Sequence, residues 1–319
     1  MKLMASGWLR KIGGVAAVMF LVATTVFVIS RVIPGDPAGV MLGAAATQEE
    51  IARLRGELGL DRPLLTQYVE FLLQTMRLDL GRSIFLNQQV LDAIIERSGL
   101  TFFLCIFATA LTVAIGLPLG IMAGVWRGTW IDRCCSLFAM LGASLPSFWI
   151  ALVLIRYVAA ETGWFPVSGW GGPDATVPER LHHLMLPALV LALPNAVLLL
   201  RTTRAGMMDV MAQDYVRTAR AKGLGPWTVV MKHALRNTLL PLVTVIGLTI
   251  AMLIGRTVVT ETVFGLPGIG NLVIAGVQRR DYPVIQGVLM VISGLYVLLN
   301  LLVDIIYARL DPRLRGRIA

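Results

Sequence analysis

The chain has 319 residues, 56% of them hydrophobic and 15% charged, with a formal net charge of +9. Its mean hydropathy of +0.75 excludes an ordinary soluble domain and fits a bundle of membrane-spanning segments. The basic balance then reads as membrane topology and contact with anionic lipid, not as a nucleic-acid surface.

Backbone in hydrocarbon must satisfy its own hydrogen bonds, so apolar runs of roughly 20 residues predict helices about 30 Å long. Six such runs occur, at approximately 12–32, 99–125, 134–159, 184–204, 238–260 and 284–308. The first has an uncharged stretch from Ile12 to Ser30, longer than a secretory signal core, with no clear small-residue cleavage site after it; it reads as a retained anchor. The long segment 33–98 follows. Within it Thr47 and Glu50 fit a capping box, Ile51, Leu54 and Leu58 share a helical face, and Gly59 stops that helix. A second helix is predicted from near Pro63, burying Leu65, Tyr68 and Leu72. The segment therefore reads as an ordered cap that packs over the outer span ends or receives an external binding protein.

Cations set the orientation, because cytoplasmic flanks of membrane helices accumulate Lys and Arg. Lys2, Arg10 and Lys11 precede the first span, and Arg127 and Arg133 lie between the second and third. Arg201, Arg204, Arg217, Arg220, Lys222, Lys232 and Arg236 lie between the fourth and fifth, and Arg309, Arg313, Arg315 and Arg317 end the chain. Segment 33–98 exceeds the length of about 60 residues over which the rule applies. Both termini are expected in the cytoplasm.

Chemistry is sparse. Cys105 falls within a span and Cys134 and Cys135 at the expected inner end of another, so no disulfide framework is implied. His182 and His183 are adjacent on an external loop with no Cys beside them, which gives a structural reading and no metal site. The lysines are Lys2, Lys11, Lys222 and Lys232, and none is followed by Ser or Thr, which excludes a phosphate-cradling G-x-x-x-x-G-K-[ST] loop. Apart from Arg31, Arg201 and Arg204 at span edges, the ionisable residues within the spans are Arg156 and Arg256 near external ends and Asp304 near an internal one, not the chain of buried acids of an ion-driven pump. Energy for any transport is expected from another polypeptide.

The polar segment 205–237 stands out against this background. Pro226 suits a first helical turn, and Trp227, Val230, Met231 and Ala234 follow at i, i+3, i+4 and i+7 on one face, with Lys232 and Arg236 on another. Gly223 and Gly225 bound this short amphipathic helix on one side, Asn237 and Pro241 on the other. It suits insertion into a partner's groove or, equally, lying on lipid headgroups.

The wording of this segment separates the two. Asp214-Tyr-Val-Arg-Thr-Ala-Arg-Ala-Lys-Gly-Leu224 with His233-Ala-Leu-Arg-Asn237 resembles the cytoplasmic loop of ABC importer permeases of the dipeptide/oligopeptide/nickel family. The wider superfamily's loop reads E-A-A, then G, then I-x-L-P, and of that form Ala219, Gly223 and Leu235 match here. The departures, A-R-A-K-G-L and H-x-L-R-N, are similar to the peptide branch. Further phrases extend the resemblance along the chain: Ile33-Pro-Gly-Asp-Pro37, Leu58-Gly-Leu-Asp-Arg-Pro-Leu64, Asp79-Leu-Gly-Arg-Ser83, Glu261-Thr-Val-Phe-Gly-Leu-Pro-Gly-Ile-Gly270, Arg280-Asp-Tyr-Pro283 with Gln286, Asn300-Leu-Leu-Val-Asp304 and Asp311-Pro-Arg313.

The resemblance implies an all-α membrane protein: six transmembrane helices forming one permease domain of the type I ABC importer kind, in a bacterial inner membrane. It implies a second homologous permease, two cytoplasmic subunits that bind ATP and Mg, and an external substrate-binding protein, with no cofactor and no enzymatic chemistry in this chain. Coupling to the ATPase then falls on Arg217, Ala219, Lys222, Gly223, Leu224, Pro226, Trp227, Val230, Met231, His233 and Arg236. The implied cargo is a dipeptide or short oligopeptide, with nickel, a metal chelate or a glutathione-like peptide as the alternative. A membrane scaffold remains a reading from another class. An embedded hydrolase is disfavoured because all three histidines lie in loops.

Arg256 and Glu261 are the candidates for the translocation pathway, Arg256 as the partner of a substrate carboxylate. The bland expectation is that Arg256 snorkels to the outer surface or pairs with Glu261. Asn300 and Asp304, at i and i+4, read as interhelical hydrogen bonding, and Met207, Met208 and Met211 as flexible packing.

Overall fold

The computed structural model describes residues 2–32, 37–43, 46–57, 59–83, 85–172 and 174–310. Outside them lie residues 33–36, Leu58 and 311–319, and with these the phrases at 33–37 and 311–313 and the final arginines. The side chains of Lys2, Arg10, Lys11, Asp304 and Arg309 are also not described. The described residues are helical: α1 Lys2–Val32, α2 Pro37–Leu42, α3 Gln48–Glu57, α4 Leu64–Met76, α5 Val90–Val125, α6 Trp130–Ser144, α7 Ser147–Val153, α8 Val177–Met211, α9 Asp214–Ala221, α10 Pro226–Thr228, α11 Arg236–Val263, α12 Ile269–Arg279 and α13 Tyr282–Leu310.

α1, α5, α8, α11 and α13 are each long and apolar enough to cross a membrane. The third predicted span differs from expectation, because α6 and α7 meet at a bend of 100°. Leu145 is extended there (φ −87°, ψ 130°), as steric clash with the ring of Pro146 requires, and the missing Pro N–H removes a helical bond. α7 then runs on as a π-helix over Leu154–Ala160.

The chain forms two compact units. Of the described residues, one takes in those up to Thr101 with Pro267–Leu298; the other takes in Phe102–Leu266 with 299–310. In the first, the capping box forms as expected: Thr47 N donates to Glu50 Oε2 at 2.8 Å and Glu50 N to Thr47 Oγ1 at 3.3 Å. α4 packs on α1 through Tyr68 and Phe71, whose rings lie 5.2 and 5.8 Å from that of Phe27, and through a 2.6 Å bond between Thr24 Oγ1 and Tyr68 OH. Leu65, expected to be buried, is 73% exposed. The inward position belongs instead to Gln67, whose amide donates to the carbonyls of Leu60 and Arg62 and closes the turn before the helix. Asp281 is buried and accepts from Ser83 Oγ (2.6 Å), Phe85 N (3.3 Å) and Val284 N (3.3 Å), tying the Asp79–Ser83 phrase to the start of α13. Gln286 Nε2 donates to Ser30 Oγ at 2.7 Å, tying α13 to α1.

In the second unit α8 is central: 67% of its apolar window is buried, against 22–39% for the other unbent spans. α5 approaches it along Gly116, Gly120 and Gly124, one glycine per turn. A Cβ there would lie 2.6 Å from Ala196 O, 2.5 Å from Thr203 Cβ and 2.6 Å from Met207 Cβ. Small residues let helix backbones close up where lipid gives no hydrophobic drive to associate.

Candidate functional site

α8 leaves the apolar region at Met211 and the chain turns back through α9. Gly223 (φ +78°) ends α9, with Gly223 N bonded to Arg220 O at 2.9 Å and Leu224 N to Ala219 O at 3.4 Å. This is a Schellman closure: the left-handed residue is glycine, which pays no Cβ penalty, and the next residue reaches back to the last turn. The same Gly-Leu pairing closes α3 at Gly59 and α11 at Gly265. The returning arm of the hairpin opens with Pro226 as first helical residue.

The return helix differs from expectation in two ways. It does not stop at Asn237; α10 continues as a π-helix over Val229–Leu235 and directly into α11, with Pro241 inside. The wider π turn also redistributes the faces. Trp227 (71%) and Met231 (40%) are exposed, whereas Val229, Val230, Ala234 and Leu235 are buried. Val230, Ala234 and Leu235 pack with Met207 at the end of α8, against Leu117, Ile121 and Val125 of α5. Val229 packs with Val216 and Ala219 of α9. One extra residue per turn thus moves Trp227 and Met231 off the inner face.

Two polar devices hold the hairpin. Tyr215 OH accepts from Asn237 Nδ2 at 2.6 Å, and Asn237 Nδ2 also donates to His233 O at 3.2 Å, clasping α9 to the start of α11. His233, half-buried, takes part through its carbonyl. Asp132, buried at the start of α6, binds Arg204 of α8 in bidentate fashion, Nε to Oδ1 at 2.6 Å and Nη2 to Oδ2 at 3.0 Å, and accepts from Gly128 N at 2.9 Å. The clasp and this ion pair were missed in the sequence: each partner is visible, but the pairings span separate elements.

The hairpin leaves Leu224 (40%), Trp227 and Met231 exposed, together with the exposed cations Arg217, which pairs with Asp214 at 3.5 Å, Arg220, Lys222, Lys232 and Arg236. Of the predicted coupling residues, Ala219 and Val230 are buried and act as packing; Gly223 and Pro226 shape the turn. Exposed apolar residues on a cationic hairpin can hold a partner by burial and orient it by charge.

Arg256 is exposed on α11, and its Nη1 donates to Asn195 Oδ1 on α8 at 3.2 Å. Glu261 is fully buried. Asn195, unremarked in the sequence, is a polar residue amid an apolar span beside Pro194, a signal that a search for ionisable groups alone passes over. Among the described residues no cluster of three His, Cys, Asp or Glu is arranged to hold a metal.

Two family models fit the chain: the membrane component of binding-protein-dependent transport systems, N-terminal part, over residues 4–105, and the inner membrane component of such systems over residues 116–316. A protein of Sinorhizobium fredii named as a probable peptide ABC transporter permease is 42% identical, covering 96% of this chain and 98% of that one. The glutathione transport system permease protein of Escherichia coli is 38% identical over the same shares. Among solved structures, the MetNI methionine ABC transporter in inward facing conformations is similar with a TM-score of 0.58 and 19% identity, covering 69% of this chain and 96% of that one, a likeness of fold. Relatives matched along nearly the whole length give the hairpin its context, and the chain belongs to the binding-protein-dependent inner membrane component family, as a non-catalytic, multi-pass permease subunit of a peptide-type ABC importer.

Proposed function

We propose that this permease moves short peptides into a bacterial cell by alternating access, driven by ATP bound with Mg on two partner subunits. Both termini and the hairpin face the cytoplasm, an external binding protein delivers cargo, and a second homologous permease completes the pathway. The observation that carries this reading is the hairpin, which is built in one piece with the membrane helices and exposes Leu224, Trp227 and Met231 at a basic tip. A push on that tip passes into α11 through continuous helix and into α8 and α5 through the packing around Met207. ATP-driven closure of the partners thereby rocks the spans as levers. The E. coli relative's name favours glutathione as one example of a short peptide cargo.

The test replaces Gly223 and Trp227 together in the importer reconstituted with its ATPase and binding protein. Expected are normal insertion of the permease and a fall of about tenfold or more in both cargo-stimulated ATP hydrolysis and uptake, as loss of an aromatic that a docked partner would cover implies. Full ATP-dependent uptake by this variant would leave the hairpin without the assigned role.

A further inference from the structure

The pair Arg256–Asn195 is placed where an outward-snorkelling arginine would not be. Near one end of α8 and α11, Gly206 and Met207 abut Thr238: a Cβ on Gly206 would lie 2.7 Å from Thr238 Cγ2, and Thr238 Oγ1 lies 3.6 Å from Met207 Sδ. Measured from that level at 1.5 Å per residue, Arg256 stands about 27 Å up α11 and Asn195 only about 18 Å up α8. The two side chains close this difference between them: each slants toward the N-terminus of its own helix, so on antiparallel α8 and α11 they lean toward each other, and the guanidinium lies on the hairpin side of its own Cα. It points toward the middle of the apolar span, not to the outer surface.

Asn195 fixes this direction. Its side chain is buried, its Nδ2 donates to Leu191 O at 2.9 Å, and its Oδ1 therefore faces Arg256. One guanidinium nitrogen is engaged, and the exposed remainder stands on a face of α11 shared with Leu248 (44%), Met252 (47%) and Val259 (50%). A cation held at this depth toward lipid is costly, so such residues line water-filled paths or interfaces. A guanidinium with one corner tethered and the rest open presents the forked donors that match a carboxylate.

We propose that Arg256, positioned by Asn195, is a contact point for a peptide carboxylate within the translocation pathway. This rests on the peptide-importer reading above. Arg256 makes a charge-assisted hydrogen bond to cargo in transit, and Asn195 is a positioning residue that holds the fork open toward it.

The experiment uses the reconstituted importer and trialanine as cargo, in a Cys134→Ser background, because Cys134 is the exposed native thiol while Cys105 and Cys135 are buried. Arg256→Cys is expected to lower trialanine uptake about tenfold, the scale of one charged hydrogen bond. Modifying the introduced thiol with a cationic methanethiosulfonate is expected to restore uptake, an anionic one to leave it low, and trialanine with loaded binding protein to slow the modification. Unchanged uptake in the variant, equal effects of the two reagents, or modification indifferent to cargo would each overturn the proposal. If the variant does not assemble, Arg256→Lys and Arg256→Gln decide on the same peptide: uptake kept by lysine and lost by glutamine supports it, equal uptake overturns it. A wild-type importer that fails to move trialanine overturns the peptide reading, and this inference falls with it; trialanine movement with indifferent variants overturns this inference alone.

Discussion

Asp132 is a buried acid whose charge is answered from two sides, by the fork of Arg204 and by the Gly128 amide. Taking one partner away leaves the other charge desolvated, which is more damaging than the pair is stabilising. Arg204 retains 32% side-chain exposure, so water relieves part of that penalty. Asp132→Asn is therefore expected to cost about 2–3 kcal/mol, below the 3–5 typical of a fully buried pair, measured by thermal unfolding in detergent. Exchanging the two residues is expected to recover only part of the loss, because the Gly128 N–H then faces a guanidinium. An unchanged unfolding midpoint for Asp132→Asn would mean that the pair is solvated in the working protein. Arg201, which donates to Ala139 O at 3.5 Å, adds a second tie between α8 and α6.

α5 carries two kinds of glycine, and the helix predicts opposite outcomes for them. At Gly120 a Cβ would meet Thr203 Cβ at 2.5 Å and Leu200 O at 2.8 Å, whereas at Gly99 nothing lies within 4 Å. Gly120→Leu is expected to force α5 from α8 and cost about 3 kcal/mol or more, at the upper end of overpacking penalties. Gly99→Ala is expected to be neutral or to stabilise by about 0.5–1 kcal/mol through lost freedom in the unfolded chain. Yields of folded permease in membranes separate the two, and equal yields would refute the close approach. The elements themselves were largely legible in the sequence. Apolar length fixed the spans because lipid leaves backbone no alternative to helix. The Thr47–Glu50 box and the Gly-Leu closures are local codes that need no tertiary information. The bend at Pro146 had its signal in the Leu145-Pro146 step, but a reading by apolar length runs straight across it. The π segments left no signal, since one added residue per turn changes neither composition nor length, and so the inner face of the return helix was read with Trp227 and Met231 on it. Leu65 is exposed where periodicity expects burial, and the inward position goes to Gln67, whose amide caps the carbonyls of the preceding turn.

At the scale of the whole molecule, some of the phrases that carried the resemblance supply contact partners to one another. Ser83 meets Asp281, and Tyr215 meets Asn237. A sequence displays such residues as words, and only the fold shows which words touch. The candidate docking surface was legible in the same partial way: its cations and its tryptophan are plain, while their exposure depends on the π turn. That surface predicts a two-part dependence for the proposed docking of an ATPase. The charges on Arg217, Arg220, Lys222, Lys232 and Arg236 are exposed and therefore screened, so raising salt from about 0.1 M to about 1 M, with the screening length falling from about 10 Å to 3 Å, is expected to slow association markedly. Burial of Trp227 is insensitive to screening. Trp227→Ala is therefore expected to weaken the permease–ATPase complex by about 2 kcal/mol at both salt concentrations, chiefly through faster dissociation, as for an aromatic hot spot. Binding kinetics of the purified ATPase on immobilised permease in nanodiscs read both effects. A tryptophan effect that vanishes at high salt would place Trp227 in the charged rim, and an absent salt effect would remove the cations from the interface.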